Sequence, residues 1–350
     1  MTPRPIPIAN VYYLLCYAWG HVEESDVVRV DELGALERVQ DLMGKVLAEG
    51  TFRLIRRGID RGYREVRQDI AAVRGKILVG ETAKRALLSR SRLRCAFEEM
   101  SRDVLHNRIL RSTLKSLLRI PDLDRGVAAS VRDAYARLDG ISAVALNRRV
   151  FQRVHLDRNR RYYRFLLSVC RLIHEQLLPD DASGECHFAD FSDETMHDLY
   201  EQFIVGFYRR EQDVYTVNRY GASICWDDHG TDEHQRQHIP RMIADVILES
   251  PDRRIVMDAK YYREALSTRF ESSKLRSAHL YQLLAYLRNR ETTARPGPRH
   301  EGVLLYPTVD RAVHADVRLE GFPVSARSID LAQPWQNIHA DMLALVGLSS

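Results

Sequence analysis

The stretch from Ile243 to Tyr262 reads IADVILESPDRRIVMDAKYY, and it decides the fold of this chain. Apolar residues at 246–248 and again at 255–257 predict two β-strands, because short apolar runs bounded by turn residues are typical of buried strands. Turn-forming residues separate the two runs. The stretch therefore predicts a β-hairpin in which Glu249 pairs with Arg254.

The register of this hairpin brings three charged side chains together. It places Asp245 directly opposite Asp258, with their Cβ atoms roughly 4.5–5.5 Å apart. Side chains alternate along a strand, so Lys260 points to the same face as Asp258. An Asp-x-Lys pair on a strand is often only a surface ion pair. Here an apolar run precedes Asp258, which favours a buried strand, where charges are costly unless they are paired or bind a metal ion.

Two facing carboxylates indicate a hard cation. Carboxylate oxygens suit Mg²⁺, which is bound by one or two carboxylates together with water and substrate phosphate. The spacing D-x12-D-x-K resembles that of the PD-(D/E)XK nuclease superfamily, with Ala244 in the place of the usual proline. Asp245 and Asp258 are therefore candidate metal ligands.

Length and composition bound the class of protein. A chain of 350 residues predicts two domains, and a hydrophobic content of 45% supports packed cores. The five cysteines form no CxxC pair, which argues against a zinc site or a disulfide framework and favours a reducing compartment. Without a signal-peptide pattern or an apolar run of membrane-spanning length, we expect a cytoplasmic protein. A net charge of +4 does not by itself indicate a nucleic-acid partner.

The N-terminal half predicts helices around a basic segment. Asn10 is predicted to cap a helix over residues 11–19, and Gly50 to end a second helix over residues 31–49. Residues 51–80 form the most basic region of the chain. This charge indicates either solvated strand faces or a surface for DNA or for an acidic protein partner, and the sequence does not choose between them.

The middle of the chain predicts a domain boundary. A helix over residues 101–119 is followed by another helix and then by an Arg- and Asn-rich connection that ends near residue 160. A long helix over residues 161–178 is predicted to open the second domain. Three polar residues of the first of these helices lie on or beside its buried stripe and predict a structural network: Asp103, Asn107 and Arg108.

Two helices of the C-terminal half contain further candidate site residues. A lone helical glutamate such as Glu201 is usually solvated, but nucleases of this superfamily often place an acidic residue from a helix against the metal site. Gln282 and Tyr286 lie one turn apart, either as ordinary polar positions or with the glutamine near the site. Residues 227–238 contain three histidines, and their spacing fits no zinc pattern, so we expect a solvated loop.

The chain resembles the McrC family, the nuclease subunits of McrBC modification-dependent restriction systems. The similarity covers essentially the whole chain. The motifs that carry it, in order, are Ile6-Pro7, Asn10-Val11-Tyr12-Tyr13-Leu14-Leu15, Tyr17-Ala18-Trp19, Arg56-Arg57-Gly58, Arg74-Gly75-Lys76-Ile77, Asn107-Arg108-Ile109-Leu110, Arg161-Tyr162-Tyr163, Asp245, Asp258-Ala259-Lys260-Tyr261-Tyr262, Leu280-Tyr281-Gln282-Leu283 and Leu305-Tyr306-Pro307.

This resemblance implies a fold and a division of labour. We expect an α/β protein in which an α+β N-terminal domain precedes a PD-(D/E)XK nuclease core, a mixed sheet flanked by helices. Residues 1–160 would engage a partner AAA+ GTPase ring, and residues 161–350 would form the endonuclease domain. The partner would be a McrB-like AAA+ GTPase hexamer that reads double-stranded modified DNA. Two McrC chains would meet in the full complex, and no membrane would be involved.

The resemblance also implies roles for individual residues. Asp245 and Asp258 would hold Mg²⁺, and Lys260 would orient the attacking water and stabilise transition-state charge. Glu201 and Gln282 are weaker candidates for the same site. The chain has no G-x-x-x-x-G-K-[ST] motif, so we expect it to stimulate its partner's GTPase rather than to hydrolyse nucleotide itself.

Two other functions stay open at this point. The chain is alternatively a regulator that chiefly activates the AAA+ partner and has a weak or accessory nuclease site. A stand-alone nuclease of the same superfamily is a third interpretation. The long N-terminal domain disfavours that interpretation.

Overall fold

The computed structural model describes residues 6–20, 36, 38–157, 160–179, 186–188, 191–218, 223–224, 226, 232–261, 267–269, 272–291, 298–308 and 312–348. The chain forms two compact units. One is Val39–Ala189, which we call the helical unit. The other combines Met1–Arg38 with Asp190–Ser350, and we call it the sheet unit.

The first helix, α1 (Ile8–Ala18), belongs to the sheet unit although it is distant in sequence from most of that unit. Pro7 occupies its N-cap. Asn10 lies inside the helix and is buried, and its side-chain amide donates 2.8 Å hydrogen bonds to the carbonyl oxygens of Leu331 and Gln333. The prediction that Asn10 caps this helix is therefore wrong, because its side chain hydrogen-bonds to a distant segment of the chain.

The helical unit contains six helices and five strands among its described residues. Three of these strands form an antiparallel sheet in the order β1 (Gly62–Ile70), β3 (Leu93–Ser101), β2 (Lys76–Ile77). In chain order the elements are α2 (Val39–Arg57), β1 (Gly62–Ile70), β2 (Lys76–Ile77), α3 (Val79–Lys84), β3 (Leu93–Ser101), α4 (Leu105–Leu117), α5 (Arg125–Arg137), α6 (Arg148–Gln152), α7 (Arg161–Gln176), β4 (Leu177–Pro179) and β5 (Cys186–Phe188).

Helix α2 does not end at Gly50, contrary to the prediction, and most of the start predicted for it lies outside the described residues. Gly50 is inside the helix, where a Cβ atom would overlap the Leu166 side chain of α7. The Tyr162 hydroxyl donates to the Gly50 carbonyl oxygen at 2.8 Å. The glycine is present because α2 and α7 pack closely at this point, not because the helix terminates.

The domain boundary in the structure differs from the one predicted near residue 160. Helix α7 packs within the helical unit, where the Tyr163 hydroxyl donates to Asn107 Oδ1 at 2.9 Å. The connection before it is also fixed to this unit, because the Ser142 backbone N–H donates to Asp103 Oδ1 at 2.8 Å. An Arg- and Asn-rich composition indicated a linker, but long-range hydrogen bonds hold this segment in place.

The polar network predicted around Asp103, Asn107 and Arg108 is confirmed. Arg108 donates to Asp103 through Nε at 2.7 Å and through the terminal nitrogen Nη2 at 2.8 Å. Asn107 is fully buried, and its amide donates to the carbonyl oxygens of Asp60 and Arg102. These bonds fasten the start of α4 to the loops around it.

Among its described residues, the sheet unit is built on one mixed sheet of six strands in the order β14 (His314–Leu319), β15 (Phe322–Ile329), β13 (Arg299–Pro307), β10 (Arg253–Ala259), β9 (Val246–Glu249), β6 (Thr216–Asn218). Strand β10 is parallel to β13 and antiparallel to β9, and β13 is parallel to β15. The elements that follow α1 are α8 (Asp193–Glu211), β6 (Thr216–Asn218), β7 (Ser223–Ile224), α9 (Glu233–Arg236), β8 (Met242–Ile243), β9 (Val246–Glu249), β10 (Arg253–Ala259), β11 (Ser267–Arg269), β12 (Ser272–Lys274), α10 (Ser277–Glu291), β13 (Arg299–Pro307), β14 (His314–Leu319), β15 (Phe322–Ile329) and α11 (Trp335–Ala344).

A buried apolar core joins this sheet to α10. Leu283 and Leu287 of the helix pack with Val256 of β10 and Leu304 of β13. The expected fold class, an α/β protein with a mixed sheet flanked by helices, is confirmed. Within the described part of the chain, no helix has the length and apolar composition that crossing a membrane requires.

Gly206 is the point at which α8 packs most closely against α1. A Cβ atom at this position would overlap the backbone carbonyl group of Tyr17. Gly206→Ala is therefore expected to lower the free energy of unfolding by about 1–3 kcal/mol, because backbone cannot move aside as a flexible side chain does. Urea unfolding measures this change. Gly80→Ala is the control, since no atom lies within 4 Å of the added methyl group; equal losses for the two variants would contradict the packing argument.

Candidate active site

The predicted hairpin is formed by β9 and β10. Glu249 pairs with Arg254 in the antiparallel ladder, as the sequence predicted, and Arg254 Nε lies 2.6 Å from Glu249 Oε1. The ladder ends one residue pair before Asp245 and Asp258. Beyond that point the Ala259 backbone N–H donates to Asp245 Oδ2 at 2.7 Å. The Asp245 side chain thus contacts β10 next to Asp258.

Asp258 is completely buried, which is exceptional for a carboxylate. Strand β10 lies between β9 and β13, and Asp258 is paired with Leu304 of β13 on one side, while on the other side the ladder with β9 has already ended and Asp245 contacts β10 instead. Its Oδ2 lies 2.9 Å from Lys260 Nζ. Its Oδ1 has no hydrogen-bond partner among the described residues. A buried carboxylate oxygen left in this state costs free energy unless a ligand approaches it.

The electrostatics of Asp258 agree with this geometry. Burial, followed by the negative charge of Asp245, raises the pKa of Asp258 to about 7, while the nearby Lys260 ammonium opposes the shift. One ammonium group therefore does not offset the cost of ionising this carboxylate. A divalent cation between the two carboxylates would favour the ionised form.

Lys260 is fixed by its backbone as well as by its charge. It follows β10 directly, is nearly buried, and its N–H donates to the Leu305 carbonyl oxygen of β13 at 2.9 Å. The ammonium group is therefore held beside Asp258 rather than extended into solvent. The hairpin brings together all three of the charged residues that the motif predicted: Asp245, Asp258 and Lys260.

Glu201 reaches this region through a histidine that the sequence analysis did not single out. His197 Nε2 lies 2.9 Å from Glu201 Oε1, one helical turn away on α8. The other ring nitrogen of His197, Nδ1, accepts a long hydrogen bond of 3.4 Å from the Tyr261 backbone N–H. Tyr261 follows Lys260, so α8 contacts the chain just after β10 at this point. The i, i+4 spacing of histidine and glutamate was the available signal.

Gln282 is linked to the segment before Asp245 through its neighbour Tyr286. Gln282 Nε2 donates to the Tyr286 hydroxyl at 2.7 Å, and that hydroxyl donates to the Ile243 carbonyl oxygen at 3.0 Å. Ile243 precedes Asp245 by two residues. Burial, and to a smaller degree the charges of Asp258 and Asp245, raise the pKa of Tyr286. The pair therefore holds the backbone that carries Asp245.

A second histidine missed by the sequence analysis lies at the start of α10. His279 is buried and shares a 3.0 Å hydrogen bond with the Tyr306 hydroxyl of β13. Burial, then the positive charges of Lys260 and Arg276, lower the pKa of His279 to about 4. It is therefore neutral at physiological pH, and the positive charges close to it are those of Lys260 and Arg276.

The donor set fits a hard cation that keeps much of its water. Asp245 and Asp258 supply oxygen atoms, and one of these, Asp258 Oδ1, is buried without a partner among the described residues. No group of three or more His, Cys, Asp or Glu side chains with metal-binding geometry exists in the part of the chain that the structure describes. Two carboxylates with the remaining positions taken by water and phosphate are what Mg²⁺ sites use.

The histidine-rich segment 227–238 was expected to be a solvated loop. Residues 227–231 lie outside the described residues. In the remainder, Gln237 Nε2 and His234 Nδ1 share an exposed 3.0 Å hydrogen bond. Within residues 232–238, Glu233–Arg236 form the short helix α9 rather than the loop that was expected.

Comparison with known proteins identifies the family. The model of the family described as "McrBC 5-methylcytosine restriction system component" matches residues 14–307. The chain is 32% identical over 340 residues to a protein of Escherichia coli (strain K12) described as "Type IV methyl-directed restriction enzyme EcoKMcrBC". That alignment covers 97% of this chain and 96% of the relative.

A solved structure of the same fold was also found. A structure described as a refined half-complex from a tetradecameric assembly of Thermococcus gammatolerans McrB AAA+ hexamers with bound McrC matches with a TM-score of 0.59 at 18% identity. The match covers 97% of this chain and 76% of that chain. A cryo-EM structure of the McrBC complex of the same organism matches 60% of each chain with a TM-score of 0.44 at 22% identity. From the family match and the full-length relative together, it follows that this chain belongs to the McrBC 5-methylcytosine restriction system component family.

Proposed function

We propose that this chain is the DNA-cutting subunit of a modification-dependent restriction system and that it hydrolyses phosphodiester bonds with Mg²⁺. The observation that carries the proposal is Asp258, a fully buried carboxylate with an unpartnered oxygen, beside Asp245 and Lys260. Such a residue destabilises a fold unless a ligand completes the site. The descriptions of the relatives, which name 5-methylcytosine and methyl-directed restriction, support methylated DNA as the substrate.

The three residues of the hairpin have distinct roles in this proposal. Asp245 and Asp258 would hold Mg²⁺, which when bound would supply polarisation of the scissile phosphate and a lowered pKa of a bound water. Lys260 stabilises negative charge on the phosphate oxygens as a point cation. Its backbone hydrogen bond to Leu305 fixes the direction from which the ammonium group acts.

Glu201 and Gln282 support the site in this proposal. Glu201 orients water from α8, and His197 holds its carboxylate while contacting the Tyr261 backbone. Gln282 fixes the Tyr286 hydroxyl, which in turn holds the Ile243 carbonyl oxygen. Both act as positioning residues rather than as principal metal ligands.

We infer that the partner is a McrB-like AAA+ GTPase hexamer, the assembly with which McrC is described in the archaeal structure. In the small sheet of the helical unit, Tyr63 on β1 is 74% exposed and lies opposite Met100 on β3, which is 53% exposed. Exposed apolar side chains within the basic region 51–80 and its paired strand favour a protein contact over a purely solvated face. This sheet is the surface we assign to the partner ring.

Cleavage of plasmid DNA tests the proposed function. The chain is mixed with the AAA+ protein of its own system, GTP and Mg²⁺, and either methylated or unmethylated plasmid. We expect cutting of the methylated plasmid only, with a strict requirement for GTP. Methylation-independent cutting by the chain alone would instead support a stand-alone nuclease.

The regulatory alternative predicts a different pattern in the same mixture. If the chain chiefly activates its partner, GTP hydrolysis rises on mixing while methylated plasmid stays intact under all metal conditions. The proposed function requires both activities. If Asp245→Ala loses DNA cleavage but still stimulates GTP hydrolysis normally, the two activities of the chain depend on different residues.

His197 offers a test of the contact between α8 and the catalytic strand. His197→Ala is expected to slow cleavage about tenfold, which corresponds to about 1.4 kcal/mol, the size of one neutral hydrogen bond. The effect should lie in kcat and leave KM and GTPase stimulation unchanged. His197→Asn should restore most of the rate, because its Oδ1 replaces Nδ1 as the acceptor for the Tyr261 N–H. Rescue by His197→Gln but not by Asn would show that the contact with Glu201 matters instead.

A further inference from the structure

Helix α7 of the helical unit presents one face to a large cavity. Arg164, Leu167, Ser168 and Arg171 recur at helical spacing along this face and line a cavity of about 540 Å³. The facing wall is formed by residues 148–156, the end of the segment that joins α5 to α7. A cavity of this size is in the range of ligand sites in proteins.

The cavity has an apolar floor and a basic rim. Val154 and Leu156 line it together with Leu167, whereas Arg148, Arg164 and Arg171 are exposed at its edge. Within the described residues the side chains of Arg148 and His155 make no hydrogen bond or ion pair, while Arg171 Nε lies 2.8 Å from Glu175 Oε1. That ion pair is about half exposed on both sides, so it is weak and exchangeable.

The sequence around the cavity is strongly basic. Between residues 148 and 171 the only acidic residue is Asp157. The arginines of this interval are Arg148, Arg149, Arg153, Arg158, Arg160, Arg161, Arg164 and Arg171. Such a local excess of guanidinium groups creates a positive potential that the nearly balanced net charge of the whole chain conceals.

A second cavity of about 440 Å³ continues along the same helix. It is lined by Lys115, Arg119 and His174 among others, and the first two side chains are exposed. The His174 ring stacks on Phe151, which lines the first cavity, with centroids 5.7 Å apart and planes at 26°. The two cavities thus adjoin across one pair of stacked rings, and we call them together the α7 groove.

The length and charge of the α7 groove match a repeating polyanion. From Arg164 to His174, α7 rises about 15 Å, which corresponds to about four phosphates along one strand of a duplex. Guanidinium groups in a fixed fork suit phosphate oxygens, and separate cations along a groove suit a backbone rather than a single compact anion. We propose that the α7 groove binds the phosphate backbone of DNA, as a site separate from the hairpin at which cutting is proposed.

Salt-dependent DNA binding tests this proposal without cleavage. The full chain is titrated into a fluorescent 30-base-pair duplex in EDTA, and the affinity is measured by anisotropy at several salt concentrations. The groove variant is Arg148→Gln with Arg171→Gln. The matched control is Arg125→Gln with Arg132→Gln, two exposed arginines of the same unit that do not line either cavity.

The expected result is a weakening of about tenfold for the groove variant at low salt. The plot of the logarithm of the binding constant against the logarithm of the salt concentration should become less steep by about two, because each of the two substituted arginines no longer neutralises a phosphate. The control variant should behave as wild type. Matching thermal unfolding of all the proteins shows that the substitutions do not act through folding. A single Arg148→Glu substitution should weaken binding at least as much as the double variant, because it also repels phosphate.

Three outcomes would overturn the proposal. One is equal binding by the groove and control variants, and another is no salt-dependent binding by the wild-type chain. The third is unchanged DNA binding together with lost stimulation of the partner's GTPase, which would make the groove a protein-binding surface. These outcomes leave the proposed cutting function untouched, because that function is tested by cleavage and by Asp258 variants.

Discussion

Asp258→Asn is expected to reduce cleavage of methylated DNA by at least about a thousandfold while leaving the folded protein no less stable than wild type. The loss of activity follows from the proposed role as a metal ligand: an amide supplies a neutral oxygen in the place of a carboxylate, and about 4 kcal/mol of lost transition-state stabilisation is a thousandfold in rate. Cleavage rates with saturating partner, GTP and Mg²⁺ measure this effect.

The stability of the same variant has a separate cause. Asp258 is buried next to a second carboxylate, and its Oδ1 has no partner among the described residues. The substitution removes that buried charge, although Lys260 then faces an amide. Because the environment as a whole disfavours the ionised carboxylate, we expect urea unfolding in EDTA to show an equal or higher free energy for Asp258→Asn.

The control for this experiment is Asp316→Asn on β14. Asp316 is an exposed carboxylate of the same sheet, paired with Arg327 at 2.6 Å. Its substitution should change neither cleavage nor stability by more than about 1 kcal/mol. Near-normal cutting by Asp258→Asn would contradict the assignment of this residue to the site. A large loss of stability would show that the carboxylate is there to hold the fold.

Asp103→Ala is expected to lower the free energy of unfolding by about 2–4 kcal/mol. Asp103 is buried, and it accepts hydrogen bonds from Arg108, from Arg64 at 2.9 Å, and from both the backbone N–H and the hydroxyl of Ser142. Removing it leaves several donors of one network without their shared acceptor. Loss of one partner of a buried ionic group is strongly destabilising, because the remaining charge and donors stay buried without compensation.

The effect of Asp103 should depend on pH. Burial alone would raise the pKa of Asp103, but hydrogen bonds from Arg108 and Ser142 outweigh it and lower the pKa to about 2. A carboxyl whose pKa is depressed on folding stabilises the protein above its unfolded pKa of about 3.9, and this contribution is lost as pH falls towards the folded value. The stability gap between wild type and Asp103→Ala should therefore narrow below about pH 4.

Urea unfolding at pH 7 and at pH 3 measures both parts of this prediction. Asp133→Ala is the matched control in the same unit, since Asp133 forms an ion pair with Arg137 in which both side chains are about half exposed. That pair should contribute less than about 1 kcal/mol. A loss for Asp103→Ala no larger than that of the control would contradict the network's structural role.

The sequence was sufficient for the hairpin because its information is local. Apolar runs predict the two strands, and turn residues separate them. Once Glu249 is paired with Arg254, the remaining cross-strand pairs of the hairpin follow from the residue numbers. The network of Asp103, Asn107 and Arg108 was also predictable from their spacing, although the helix begins only at Leu105 and Asp103 precedes it. In both cases the relevant residues lie close together in the chain or follow a strict period.

The features that the sequence did not predict depend on distant contacts. Asparagine is a common residue at helix N-caps, which is why Asn10 was predicted to cap α1. Only its hydrogen bonds to the carbonyl oxygens of Leu331 and Gln333 show that it makes a tertiary contact instead. Glycine is a common residue at helix C-termini, which is why Gly50 was predicted to end α2. In the structure it lies inside the helix, where the Leu166 side chain packs against it. For the same reason α1 could not be placed with the sheet unit from its sequence.

Two histidines of the candidate site were missed for a related reason. A lone helical histidine is more often structural than functional, and His197 and His279 became relevant only when the fold brought them beside Tyr261 and Tyr306. Glu201 and Gln282 were named from the motif. Their connections through His197 and Tyr286 emerged from the structure.

The central claim is that Asp245 and Asp258 together hold a divalent cation. Binding of Mn²⁺, whose preference for oxygen ligands resembles that of Mg²⁺, tests it most directly when the free ion is followed by electron paramagnetic resonance. We predict that the wild-type chain and Asp316→Asn bind Mn²⁺ in competition with Mg²⁺, and that Asp245→Asn and Asp258→Asn do not. Equal binding by all four proteins would contradict the claim and remove the hairpin as the metal site.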